Sequence, residues 1–183
     1  DYLDVYAHFG LLGPRAIHAH CIHLDDEQRR RLAASGSAAA FCPSSNLFLG
    51  SGFFDHAASS AAGIRIGLAS DVGAGTGFST LRTLAAAHAV GQARGTPLSA
   101  LRGFYLATLG GARALYLDDF IGNFQPGREA DFVVLEWAAT PELAWRLERC
   151  TSLAERLFAL MILGDERCIV ATHVLGETAW RRA

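Results

Sequence analysis

Basic residues are too few and too scattered to form a stripe: 16 Lys and Arg stand against 18 Asp and Glu, a formal net charge of −2. That balance argues against nucleic acid as a partner. No apolar run is long enough to span a bilayer, and Asp1-Tyr-Leu-Asp-Val has neither the basic start nor the apolar stretch of a signal peptide. There is no initiator methionine, so Asp1 is not read as a natural start. Cysteine is scarce and never in CxxC spacing: Cys21, Cys42, Cys150 and Cys168 sit inside apolar stretches. Free buried thiols in a cytoplasmic protein are the simplest account of them. What is abundant is apolar: 51% of the 183 residues are hydrophobic and 19% charged. That suffices for one ordinary domain, or a domain with a small appendage.

Strand and helix patterns alternate along the chain. A helix tail over Asp1 to Gly10, with Leu3, Tyr6 and Ala7 on one side, precedes a strand from Arg15 to Cys21. A charged helix from Asp25 to Ser35 closes at Gly36, and Ser37 to Cys42 forms the next strand. Pro43 to Gly52 reads as a polar, glycine-bearing loop. A helix from Phe54 to Ala62 leads to a third strand, Ile64 to Ala69, apolar enough to be buried on both faces. Helices follow over Ser79 to Arg94, Ser99 to Ala107, and from Thr108, as N-cap, to Leu117. Repeated strand-loop-helix units predict an α/β fold with a parallel sheet, open or closed, whose working face lies at the strand C-terminal ends. Past Asp118 the pattern changes to turns and short β segments, Ala130 to Glu136 and Arg167 to Val174, around a helix from Ser152 to Leu163. The expected division is residues 1–118 and a small β unit, 119–183.

Two stretches carry chemistry. Arg15-Ala-Ile-His18-Ala-His20-Cys-Ile-His23 gathers three histidines within six positions at a strand end. On a continuous strand, His18 and His20 point to one face, as two imidazoles sharing a metal do. Gly67-Leu-Ala-Ser-Asp71-Val-Gly-Ala-Gly-Thr76 stops a buried strand at an acid and then turns through glycines. A lone strand-end Asp is most often a helix cap. With histidines ending a strand two units earlier, it fits a hydrolytic metal site in which a bound water becomes a nucleophile near neutral pH.

These stretches resemble the C-terminal half of the amidohydrolase superfamily's deaminases. The resemblance is carried by His20-Cys-Ile-His-Leu-Asp-Asp-Glu27, Phe41-Cys-Pro-Ser-Ser-Asn46, the Asp71 loop, Leu106-Ala-Thr-Leu-Gly-Gly-Ala-Arg-Ala-Leu115 and Ile121 to Val134. Asn46-Leu-Phe-Leu-Gly-Ser-Gly-Phe-Phe54, Asp71-Val-Gly-Ala-Gly-Thr76 and Leu157 to Gly164 are most similar to the guanine deaminases within it. The resemblance implies the C-terminal part of a TIM-like (β/α)₈ barrel, strands six to eight, with a small appended β domain. It implies that His20 hydrogen-bonds the attacking hydroxide or the tetrahedral intermediate, and that Asp71 ligates Zn²⁺ and takes the water's proton. Guanine, a small purine, is the implied substrate, losing ammonia to give xanthine, and the implied assembly is a homodimer.

Asn46 is expected to line the mouth of the site. His18 stands where the family usually has an aliphatic residue, and His23 lies just past the strand; neither is assigned a role. His18-Ala-His20 is not the family's strand-one metal pair, because only one strand separates it from Asp71. The strand-one histidines, the strand-five histidine and the glutamate that shuttles a proton have no counterpart in the chain. Asp71 alone cannot hold zinc, so the isolated chain is expected to be inactive. The alternatives are another amidohydrolase, acting on triazines or adenosine analogues, or a noncatalytic fragment.

Overall fold

The computed structural model describes residues 1–183. Asp1 caps helix α1 (Tyr2–His8) through a reciprocal bond with Asp4, and of its apolar residues only Leu3 is buried. Strand β1 (Ile17–Ala19) is followed by α2 (Asp26–Ser35), opened by the same kind of box between Asp25 and Gln28 and closed by Gly36 in the left-handed region. Strand β2 (Ala38–Phe41), helices α3 (Pro43–Phe48) and α4 (His56–Ala61), and β3 (Arg65–Leu68) come next. Helices α5 (Thr80–Ala93), α6 (Ala100–Ala107) and α7 (Leu109–Leu115) complete this half. The remainder holds β4 (Phe132–Leu135), α8 (Pro141–Leu147), α9 (Leu153–Leu163), β5 (Ile169–Val174) and β6 (Glu177–Arg181).

Strands β1, β2 and β3 pair in that order, all parallel, with Ala39 of β2 opposite His18 on one side and Ile66 on the other. The central strand is small and buried on both faces, as expected of a parallel sheet covered twice. On one face Ala39, Phe41 and Ile66 join Leu32, Phe54, Val90, Leu98 and Leu106 in a core drawn from the surrounding helices. Phe41 and Phe54 meet tilted at 34°, with 4.9 Å between ring centroids. Helix α7 presses onto β3, where a Cβ at Gly67 would lie 3.2 Å from the Gly111 Cα. A second sheet, β4-β5-β6, is antiparallel. Between the two sheets, α8 and α9 bury Leu143, Leu160 and Met161 against Leu81 and Leu84 of α5 and Ala100 of α6. The buried carboxylate of Asp165, held by Arg167 and reached by Arg82, ties the same seam.

Several expectations from the pattern are corrected. The Pro43 to Gly52 loop contains α3, because Pro43 at the first helical position is already set for helix and its missing N–H costs nothing there. The strand expected from Arg15 to Cys21 keeps only three residues, since Arg15, His20 and Cys21 all have positive φ. Thr108 stands at the N-cap of α7 as expected, but its side chain makes no capping bond: the hydroxyl donates back to the Phe104 carbonyl at 2.7 Å. Helix α8 and strand β6 lie outside the expected elements. The first carries a usable signal in Thr140-Pro141-Glu142, with Thr140 capping Leu143. The second closes a hairpin on Leu175-Gly176, both at positive φ, where leucine hides the usual Asn-Gly signature. No helix is long and apolar enough to cross a membrane.

Candidate functional site

The site is built at the C-terminal ends of the parallel strands. At the end of β1 the His20 N–H still donates to Ala40 of β2, at 3.0 Å, while the Cys21 N–H turns back to the Ala19 carbonyl at 2.9 Å. The result is a three-residue turn with His20 at its centre and φ +69°, the rare and strained form of the γ-turn. Positive φ in a non-glycine residue costs on the order of 1–3 kcal/mol and persists only where the surroundings enforce it. His20 joins a donor group that does not include His18, so the two imidazoles expected to share a metal are not gathered into one donor set. The ring of His18 lies edge-on to Tyr6 at 5.0 Å, its Nε2 buried without a partner and its pKa lowered by burial.

Asp71 lies past the end of β3 and also has positive φ, +52°. The Gly75 N–H donates to the Asp71 carbonyl, closing the loop into a tight turn, and a Cβ at Gly75 would fall 1.7 Å from the Ser70 carbonyl oxygen. Only glycine leaves room for this closure. From α3, the Ser44 hydroxyl donates to the same Ser70 oxygen at 3.3 Å, linking the loops after β2 and β3.

These two turns bring His20 and Asp71 together, with 3.9 Å between Nε2 and a carboxylate oxygen, both side chains partly exposed. The other ring nitrogen of His20 lies 2.8 Å from Oδ1 of Asn46 on α3. Cys42 completes the group: donor atoms of His20, Cys42 and Asp71 all lie within 4.8 Å of one another. Burial holds the Cys42 thiol protonated, more than the His20 N–H lowers it, and the Asp71 charge pushes the same way as burial. Sequence reasoning missed Cys42, and it placed Asn46 only at the mouth; the adjacency of Cys42 and Pro43 at the strand end is the signal that could have found the first. His23 stays outside the donor group. A cavity of about 890 Å³ runs along β1, bordered by His18, His20 and His23, and one of about 350 Å³ lies beside the loop after Asp71, lined by Ser44, Thr76 and Arg82. Asp71 borders neither, and with both side chains more than a third exposed the His20–Asp71 pair is not enclosed by this chain.

The donor set fits part of a metal site. A catalytic zinc takes three protein ligands and keeps one open position. Asp71 offers a carboxylate, His20 has one nitrogen committed to Asn46, and Cys42 is a neutral thiol, so this chain supplies a corner of such a site.

The amidohydrolase family model matches residues 1–179. The chain belongs to the amidohydrolase family. The guanine deaminase of Escherichia coli K12 is 49% identical over 99% of this chain. The solved structure of the E. coli enzyme superposes with a TM-score of 0.97 over all of it. A Clostridium acetobutylicum guanine deaminase, solved with guanine bound, is 31% identical over 98% of the chain, TM-score 0.82. An adenosine deaminase from Xanthomonas campestris, solved with bound zinc, is 27% identical over 96%, TM-score 0.81. The chain spans about two fifths of these relatives: 41% of the E. coli sequence, and 43%, 42% and 39% of the three solved chains. The expected α/β amidohydrolase architecture, part of a TIM-barrel enzyme, is borne out. In this metal-dependent family, the strained turns at His20 and Asp71 occupy the strand ends where barrel enzymes place their chemistry.

Proposed function

We propose that the complete protein containing this chain is a guanine deaminase, converting guanine and water to xanthine and ammonia. The observation that carries the reading is the meeting of His20 and Asp71, 3.9 Å apart on two strained turns, in a chain 49% identical to a guanine deaminase. Asp71 would hold one coordination position of a Zn²⁺ ion, the other ligands coming from residues outside this chain; the chemistry such an ion would supply is a bound water acidic enough to be a nucleophile near neutral pH. As a base, the second oxygen of the Asp71 carboxylate takes a proton from the attacking water and returns it to the departing amine at purine C2. His20 Nε2 accepts a hydrogen bond from the same water and turns its lone pair toward C2. Water's oxygen forms the new C2–O bond as the C2=N3 π bond opens and N3 takes one of the two water protons; the other reaches the amine by way of Asp71, the C2–N bond breaks, and ammonia leaves a C2 carbonyl.

In this reading residues 1–118 form the barrel portion and 119–183 the small β unit, and the complete protein is a cytoplasmic homodimer active in purine breakdown. Four free cysteines without a disulfide support the reducing compartment. The test is ammonia release by the complete purified protein, with guanine set against adenosine analogues and triazines. Preferential turnover of guanine supports the reading; a higher kcat/KM on either of the other two classes refutes it.

A further inference from the structure

We propose that Asn46 is the positioning residue for His20, holding the imidazole with its Nδ1 proton donated to the amide oxygen so that Nε2 faces Asp71 as a bare acceptor. The proposal rests on the functional reading above for what His20 does; the hydrogen bond itself is independent of that reading.

Three observations converge on it. First, Asn46 is only 2% exposed, and its Nδ2 is buried without a partner. An amide placed for packing alone is costly in that state, since half its hydrogen-bonding capacity is lost on leaving water. The bond it does make is the 2.8 Å contact to His20. Second, the backbone of Asn46 is pinned at both ends: its N–H donates to the Cys42 carbonyl and its own carbonyl accepts from Ser51, each at 3.0 Å. The amide thus rides on a helix anchored directly to the end of β2, with little freedom to follow a moving ring. Third, His20 sits at a strained turn with its imidazole partly exposed, so packing alone does not hold the ring. A rigid buried partner on one nitrogen does. It also decides which nitrogen carries the proton, and so what the other one offers toward Asp71.

The test uses the complete protein. Asn46→Leu keeps the side-chain size and removes the acceptor; Asn46→Asp keeps an acceptor oxygen and removes the donor. The expected result is a fall in kcat on the order of 10–100-fold in N46L, with KM within about twofold, and largely retained kcat in N46D. In a His20→Ala background, N46L should cost nothing more, because both substitutions remove one coupled unit. A second readout needs no turnover: in the ¹⁵N imidazole spectrum of the metal-free protein, the His20 proton should reside on Nδ1 and redistribute in N46L. Wild-type kcat in N46L, a loss in N46D as deep as in N46L, multiplicative losses in the double variant, or an unchanged His20 spectrum in N46L each overturns the proposal. If N46L does not fold, N46D and the parent spectrum still decide it, because a parent His20 carrying its proton on Nε2 is equally fatal. Should the complete protein fail to deaminate guanine, the functional reading falls while the spectra still judge Asn46.

Discussion

Replacing Gly75 by alanine tests whether the Asp71 turn is as tightly determined as it looks. An added Cβ would lie 1.7 Å from the Ser70 carbonyl oxygen and 2.8 Å from that of Asp71. Real Cβ contacts essentially never fall below 3.0 Å, so the gap to Ser70 must open by more than 1 Å. Ser70 and Asp71 are consecutive, and the opening breaks the Gly75 N–H bond to the Asp71 carbonyl that closes the turn. That bond is worth about 1 kcal/mol net. The larger cost falls on position: a misplacement of about 1 Å at reacting groups loses on the order of 100-fold in rate, or about 2.7 kcal/mol of barrier. Gly77 in the same loop provides the control, because a Cβ there meets nothing within 4 Å. Steady-state kinetics on guanine with the complete protein should show G75A reduced about 100-fold in kcat and G77A within about twofold of the parent. Thermal unfolding checks that both variants are folded. A folded G75A with kcat within threefold of the parent would refute the claim that this closure positions Asp71.

The isolated 183-residue chain should release no ammonia from guanine and retain no stoichiometric zinc after dialysis, since Asp71 is one ligand where about three are needed; metal analysis and a coupled ammonia assay check this. Phe41→Ala, in the core and fully buried, should cost about 3–5 kcal/mol in denaturant unfolding of the complete protein. In the isolated chain, Phe78→Ala, at a residue 86% exposed, should change stability by less than about 0.5 kcal/mol. Asp165 has its pKa lowered below the ordinary 3.8, first by its hydrogen bonds to Arg167. The unfolded chain therefore binds the proton more tightly, and the stabilisation is full above about pH 4 and disappears as pH falls through the lowered value. Asp165→Asn should be less stable than the parent at pH 7, and the gap should narrow toward pH 3 in denaturant titrations at the two pH values.

The βα repeats were legible from the sequence because burial imposes a local pattern. Ala38 to Phe41 and Arg65 to Leu68 emerge as strands; Asp25 and Gly36 mark the ends of a helix through their own hydrogen bonds and dihedrals. Asp71 was visible for the same reason, an acid ending an apolar run. The partnerships across the site were not legible. No spacing rule joins His20 to Asn46, or Cys42 to Asp71, because each pair is made by different elements meeting at the strand ends. Nor could the strand pattern show that His20 leaves the sheet. Its alternation with His18 is intact in the sequence, while its positive φ belongs to a turn held by bonds to Ala40 and from Cys21 to Ala19. The packing of α8 and α9 on α5 and α6 was equally hidden, since apolar helix faces do not name their partners. Local physics, read in order, determined which elements form and which acid ends a strand. The tertiary structure decided where His20 points and what holds it, because a side chain's direction at a strand end depends on backbone strain that only distant contacts can sustain.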